Sequence, residues 1–279
     1  MGVYYMNNLG DILRETRQQQ QLSQSEISED ICSQSTLSEI EHNKYIPNTQ
    51  LLINLCERLA VGFDDLCLVG SFQICREKYF NQKAASFYHS RNYRQLQAFL
   101  NRPTVLETVQ NDQQTQAYYF YLALCSLHLD RGFDKAKEYL KLSLACSTNG
   151  RKQTTLTRLG NITLAYVYAQ QGLKTSTFAQ IELAFRHLEK STYDENLNLL
   201  FYIAALSYFH ISKFDLAIQT LEKGIKFALS NNSHSMMINS LYLMANIAEM
   251  VKEENVGLTI KSYSLFNSFI HQPLYEEAN

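Results

Sequence analysis

The stretch SQSEISEDICSQSTLSEIEHNK, Ser23 to Lys44, reads as two short helices around a tight turn. Ser23 opens an S-x-x-E pattern closed by Glu26, a capping box in which the serine oxygen and the glutamate each satisfy a free backbone N–H. Ile27 and Ile31 give that helix its inward face, and it ends near Asp30. Ser33 caps the next helix, whose Leu37 and Ile40 turn inward while Gln34, Ser35, Thr36, Ser38 and Glu39 turn outward. Asn43 follows, where a residue tolerant of positive φ is wanted. Upstream, Leu9 to Gln20 carries Leu9, Ile12, Leu13 and Thr16 on one helical face. Downstream, Pro47-Asn48 opens a fourth helix with Leu51, Leu52, Leu55 and Leu59, and Asp64 to Val69 predicts a last short one with Leu66.

Five short helices with a turn of two to three residues between the second and third form a compact helix-turn-helix domain, expected over residues 1–69. The run LSQSEIS…ICSQSTLSEIEHNKYIPNTQLLINLCERLAV resembles the lambda-repressor-like (XRE) family, and ICSQSTLS followed by IE and a proline is similar to the PlcR-type regulators. The resemblance implies that Gln24, opening the second helix, contacts backbone phosphate, and that Ser33, Gln34, Ser35, Thr36 and Ser38 read bases in the major groove. Where the family often has glycine after the IE pair, this chain has His42-Asn43, and asparagine can take the same left-handed turn.

Charge runs against a nucleic-acid partner. The opening stretch holds five carboxylates and one lysine, and residues 1–65 hold four basic against ten acidic side chains, a net of −6, while the remainder nets +4. Contact with a duplex then depends on placement: Glu26, Glu29 and Asp30 directed away, and a phosphate-facing rim of Gln24, Asn43, Lys44 and Tyr45 with the helix N-termini. Affinity per head should be low, since sequence-independent binding comes mainly from neutralised phosphates. Two heads on a two-fold symmetric operator in double-stranded DNA, hence a homodimer, are the expectation.

A chain of 279 residues suggests two domains, or one domain plus a repeat array, and three Pro, ten Gly, 46% apolar and 19% charged residues predict an all-α protein. The six cysteines form no CxxC pair and sit in apolar helical patterns, so they read as reduced core thiols, with neither a disulfide framework nor a metal site. The N-terminus shows no basic leader before an apolar run. The most apolar stretch, LLFYIAALSYFHI, is about 13 residues, too short to span a bilayer. A cytoplasmic protein with no membrane partner is expected.

From residue 70 onward the chain repeats. HSRNYRQLQ, DRGFDKAKE and ISKFDLAIQ each place an aromatic (Tyr93, Phe133, Phe214) at a turn, with Leu96, Ala136 and Ala217 three residues on and Ala84, Leu124 and Ala205 nine residues before. Units around ITLAYVYAQQG (Ala165) and MANIAEMVKEENVGL (Ala245, Gly257) complete five. The pattern resembles tetratricopeptide helix pairs at a period of about 40, which predicts a right-handed superhelix over residues 70–279 with a concave groove. The inward positions are Asn81, Tyr121, Ile162, Tyr202 and Tyr242, then Ala85, Cys125, Tyr166, Leu206 and Asn246, with Tyr88, His89, His128, Gln170, Phe209, His210, Asn239 and Glu249 further along. Amides bond an extended peptide backbone and aromatics cover its side chains. Tyrosines at helical spacing also serve as inter-helix packing, and that alternative stands beside the binding one.

A helix-turn-helix head fused to such an array resembles the PlcR, Rgg and PrgX-like pheromone receptors. The resemblance implies a homodimeric transcriptional regulator that binds a short signalling peptide in the repeat groove. The groove asparagines of the PlcR type fall here on Ile162, Tyr166 and Ile203, so the peptide is expected to sit differently or to be more apolar. The seven histidines are scattered, HExxH, GxSxG and a phosphate-cradling glycine loop are missing, and no enzyme, cofactor or metal is indicated. The competing expectation is an interaction scaffold, or a partner-controlled regulator, whose repeats bind a protein and whose head does not read DNA or does not depend on a peptide.

Overall fold

The computed structural model describes residues 9–61, 68, 70–130, 132–147, 153–233 and 235–253. Their regular structure is helical throughout: α1 Leu9–Gln19, α2 Gln24–Ser28, α3 Gln34–Glu41, α4 Thr49–Arg58, α5 Lys78–His89, α6 Tyr93–Leu100, α7 Pro103–Leu106, α8 Asp112–Asp130, α9 Phe133–Ala145, α10 Thr155–Gln170, α11 Lys174–Phe185, α12 Asn198–His210, α13 Phe214–Ser230 and α14 Met237–Glu253. Two 3-10 turns, Leu188–Lys190 and Glu195–Leu197, precede α12. Of the helix expected over 64–69, residues 64–67, with Cys67, and 69 lie outside the described residues, as does Gly257, and the described Leu68 is not helical. Among the described residues no helix is long and apolar enough to cross a membrane.

The chain divides into two compact units, residues 1–65 with 212–279, and residues 66–211. This division differs from the boundary after residue 69 that the sequence suggests, because α14 packs on α4 as well as on α13. In the first unit Ile12, Leu13, Ile27, Leu37, Ile40, Leu52, Leu55 and Leu59 form the core. Helix α1 crosses α3 so closely that a Cβ on Gly10 would stand 1.9 Å from the Ile40 carbonyl oxygen. The capping box at Ser23 and Glu26 is formed, and α2 stops at Ser28, short of the turn at Asp30 with φ 60°. Asn48 caps α4, accepting the Leu51 N–H at 2.9 Å.

The second unit stacks three helix pairs, α5 with α6, α8 with α9 and α10 with α11, and α12 packs on α10. Small or aliphatic residues recur where these pairs meet: Ala84, Leu124, Ala165 and Ala205 are at most 2% exposed. The turn after α5 passes through Arg91 at φ 55° and that after α10 through Gly172 at φ 71°. Gly160 lets α10 approach Leu144 of α9 so closely that a Cβ would lie 2.9 Å from a Leu144 methyl. Arg158 is buried, and its guanidinium donates to the carbonyls of Ala184 at 2.6 Å and Arg186 at 2.9 Å and to Ser191 Oγ at 3.0 Å. It thereby closes the C-terminal end of α11, whose last carbonyls lack helical partners.

Candidate nucleic-acid interface and repeat face

Helix α3 begins at an exposed corner. The Ser33 hydroxyl accepts the Thr36 N–H at 3.1 Å and lies 2.8 Å from both Ser35 Oγ and Thr36 Oγ1, so three hydroxyls hold one another. Gln34 and Ser35 are exposed and Ser38 is half-buried. These are small neutral groups at a helix N-terminus, where free N–H groups favour an anion.

Two of the acidic side chains nearby, Glu41 and Glu26, are engaged. Arg17 Nε donates to Glu41 Oε1 at 2.6 Å and the terminal nitrogen to Oε2 at 2.7 Å, a bidentate pair in which Glu41 is 1% exposed. Gln24 Nε2 adds a third donor to Glu41 at 2.8 Å. Burial alone would raise the Glu41 carboxyl, yet the hydrogen bonds from Arg17 and Gln24 and the arginine charges outweigh it and hold the carboxyl below the usual range. Glu26 is lowered by the Ser23 hydroxyl and N–H, in full solvent. Arg58 donates to the carbonyls of Glu26 and Glu29 at 2.9 and 2.8 Å.

The expected phosphate rim is only partly open. Lys44 and Tyr45 are exposed. Asn43, at φ 57°, accepts the Gly10 N–H at 2.9 Å and donates to Asp11 at 3.0 Å, so its side chain caps α1. Gln24 is turned to Glu41. The Arg17–Glu41 pair was not among the residues singled out in the sequence, although both sit at inward register, Arg17 one turn after Leu13 and Glu41 one turn after Leu37. An ionic residue at an inward position is the signal, because such residues are seldom buried unpaired.

On the repeats, most of the expected ladder is interior. Tyr88, Tyr121 and Tyr202 are 0% exposed, Tyr166 6% and Tyr242 5%. Tyr88 accepts the Leu68 N–H at 3.2 Å and Tyr121 the Phe72 N–H at 2.9 Å, and burial pushes the Tyr121 hydroxyl up to about 12. Asn81 accepts the Ile74 N–H at 2.9 Å and donates to the Cys75 carbonyl at 2.8 Å, anchoring the loop before α5. His89 and His210, at the C-terminal ends of α5 and α12, are exposed, and the ends of α8 and α10 carry two half-buried residues: His128, stacked on Tyr93 at 4.0 Å between centroids with its Nε2 buried, and Gln170, whose Nε2 stands 2.9 Å from both Tyr166 Oη and His210 Nε2.

The last helix is placed elsewhere. Asn239 is 8% exposed, Asn246 donates to the Tyr242 carbonyl at 2.8 Å, and Tyr242 donates to Glu57 of α4 at 3.4 Å. Glu249 accepts the hydroxyl of Thr49, at the start of α4. In the first unit, then, α14 meets the head through Tyr242 and Glu249, two of the side chains that the sequence suggested for a groove.

Residues 13–66 match the helix-turn-helix family model. No curated protein sequence matches the chain. Among solved structures the chain is similar to PlcR of Bacillus thuringiensis, determined in complex with the peptide PapR7 and DNA, at 18% identity over 94% of each chain with a TM-score of 0.52. The SHP pheromone receptor Rgg2 of Streptococcus dysgalactiae aligns at 17% identity over 88% of this chain and all of that one, with a TM-score of 0.35. The chain thus carries a helix-turn-helix domain where residues 13–66 match, and its described residues, helical in all their regular structure, have a fold like that of PlcR.

Proposed function

We propose that the chain is a DNA-binding transcriptional regulator whose operator affinity is set by a short signalling peptide bound to its repeats, acting as a homodimer on a two-fold site. The observation that carries the reading is the exposed start of α3, where Gln34 and Ser35 project from a helix fixed by the Ser33 cap and by the Arg17–Glu41 pair. Direct readout suits this corner: a glutamine amide bonds adenine bidentately, and serine and threonine hydroxyls bond either donors or acceptors. Lys44 and Tyr45 position the domain on the backbone. On the repeats, Gln170 and His210 present polar groups to a ligand as they stand, whereas the buried Nε2 of His128 and the rings of Tyr121 and Tyr202 become contacts only if the helix pairs part.

A mobility-shift assay on the DNA upstream of the chain's own reading frame, with and without peptides from adjacent short reading frames, tests this. Retardation that changes with one peptide supports it. Retardation by no fragment favours the scaffold reading, for which the net charge of −6 over residues 1–65 is the motivating observation.

A further inference from the structure

The ladder of inward residues is closed along most of its length but opens at one end. Counting back eight residues, two helical turns, from Tyr121, Ile162 and Tyr202 reaches Gln113, Thr154 and Asp194. These three line one cavity of about 310 Å³ at the N-terminal mouth of α8 and α10 and at the 3-10 turn before α12. Its volume is at the small end of ligand sites, enough for the terminal residues of a peptide and not for a folded partner.

The lining has a definite chemistry. Gln73, Gln113 and Gln116 supply carboxamides, and Thr154 and Thr155 supply hydroxyls. Gln116 is a buried amide, 3% exposed, held in place by its bond to Thr157 at 3.0 Å. Phe72 adds an apolar wall, and its own N–H is tied to Tyr121, so the cavity wall and the ladder are one hydrogen-bonded piece. Carboxamides donate and accept at once, which matches a peptide backbone. Among the described lining residues the single formal charge is the Asp194 carboxylate, one oxygen of which accepts the Asn196 N–H at 2.9 Å. The helix N-termini favour an anion, an effect reduced where one N–H at each is met by a cap: Thr154 accepts from Thr157 at 3.1 Å and Asn111 from Gln114 at 2.9 Å.

We propose that this cavity seats the amino end of a short peptide, its α-ammonium on Asp194 and its first amides on the glutamines, with the rest of the peptide leaving toward the repeat face. The proposal rests on the reading of the repeats as peptide-binding and adds the direction in which the peptide lies.

Tri-alanine, its N-acetyl form and its C-terminal amide, titrated into the isotopically labelled full chain and followed at the side-chain amide signals of Gln113 and Gln116, provide the test. Tri-alanine and the amide should shift these signals saturably with similar affinity, and N-acetylation should weaken binding tenfold or more. Asp194→Asn should do the same. Because Asp194 also caps a turn, Gln113→Lys, on the exposed surface of α8, is the second variant: it should abolish the shift of the remaining Gln116 amide signal with an unchanged melting temperature. No saturable shift, equal affinity for the acetylated peptide, or loss on amidation, which would mark a carboxylate site, overturns the assignment. If tri-alanine binds as stated while no peptide alters DNA retardation, the regulator reading fails and this site stands.

Discussion

Glu41 shows how a charge read from sequence changes meaning once it is placed. Counted along the chain it is one more acid beside a helix expected to read DNA, but in the fold it is buried, neutralised by Arg17 and hydrogen-bonded by Gln24. Its folded pKa lies below the unfolded carboxylate's 4.5, so its stabilising contribution is complete above that value and is lost as pH falls through the lowered one. Thermal melts of Glu41→Gln should therefore show a flatter loss of stability with acid than the parent. Removing one partner of a buried pair leaves the other uncompensated, and Glu41→Ala should cost about 3–5 kcal/mol by chemical denaturation. Gly10 makes the complementary point about shape: the Ile40 carbonyl occupies the space of a side chain, and Gly10→Ala should destabilise the head by about 1–3 kcal/mol or force α1 off α3. The sequence pattern carries only half of either role, a charge or a glycine at an inward position, since it does not report what stands opposite.

At the scale of elements, helix starts were legible because caps are local chemistry. Ser23, Ser33 and Asn48 were each read as opening a helix, and each side chain accepts a backbone N–H there. The small positions of the repeats were legible for the same reason that alanine recurs, close helix approach. The short α7 and the 3-10 turns before α12 carry no periodic signal and were not anticipated. What periodicity could not separate is a tyrosine lining a groove from a tyrosine filling one, because both sit on the same helical face. With Tyr202 wholly buried, Tyr202→Ala should lower stability by about 3–5 kcal/mol, the range for deleting a large core ring, and a denaturation curve measures it. Turn geometry offers a gentler probe. Arg91 is left-handed where the next described pair turn has glycine, so Arg91→Gly should raise stability by up to about 1–2 kcal/mol.

For the molecule as a whole, the uneven charge sets how DNA binding must respond to salt. A head with four basic side chains neutralises few phosphates, so the logarithm of affinity should fall with the logarithm of salt at a shallow slope, measurable by fluorescence anisotropy at several ionic strengths. Specificity should depend on α3, and Gln34→Ala should flatten discrimination among operator variants by about 1–3 kcal/mol. The packing of α14 on α4 bears on a different matter, the birth of the protein. The partners Thr49 and Glu249 are 200 residues apart in the chain, and Glu57 and Tyr242 are 185 apart. At roughly 5–20 residues per second of synthesis, the ribosome delivers the second partner on the order of 10–40 s after the first. A nascent chain thus carries a head whose α4 lacks its α14 contacts until α14 has been made, and termination before α14 leaves that head uncompleted.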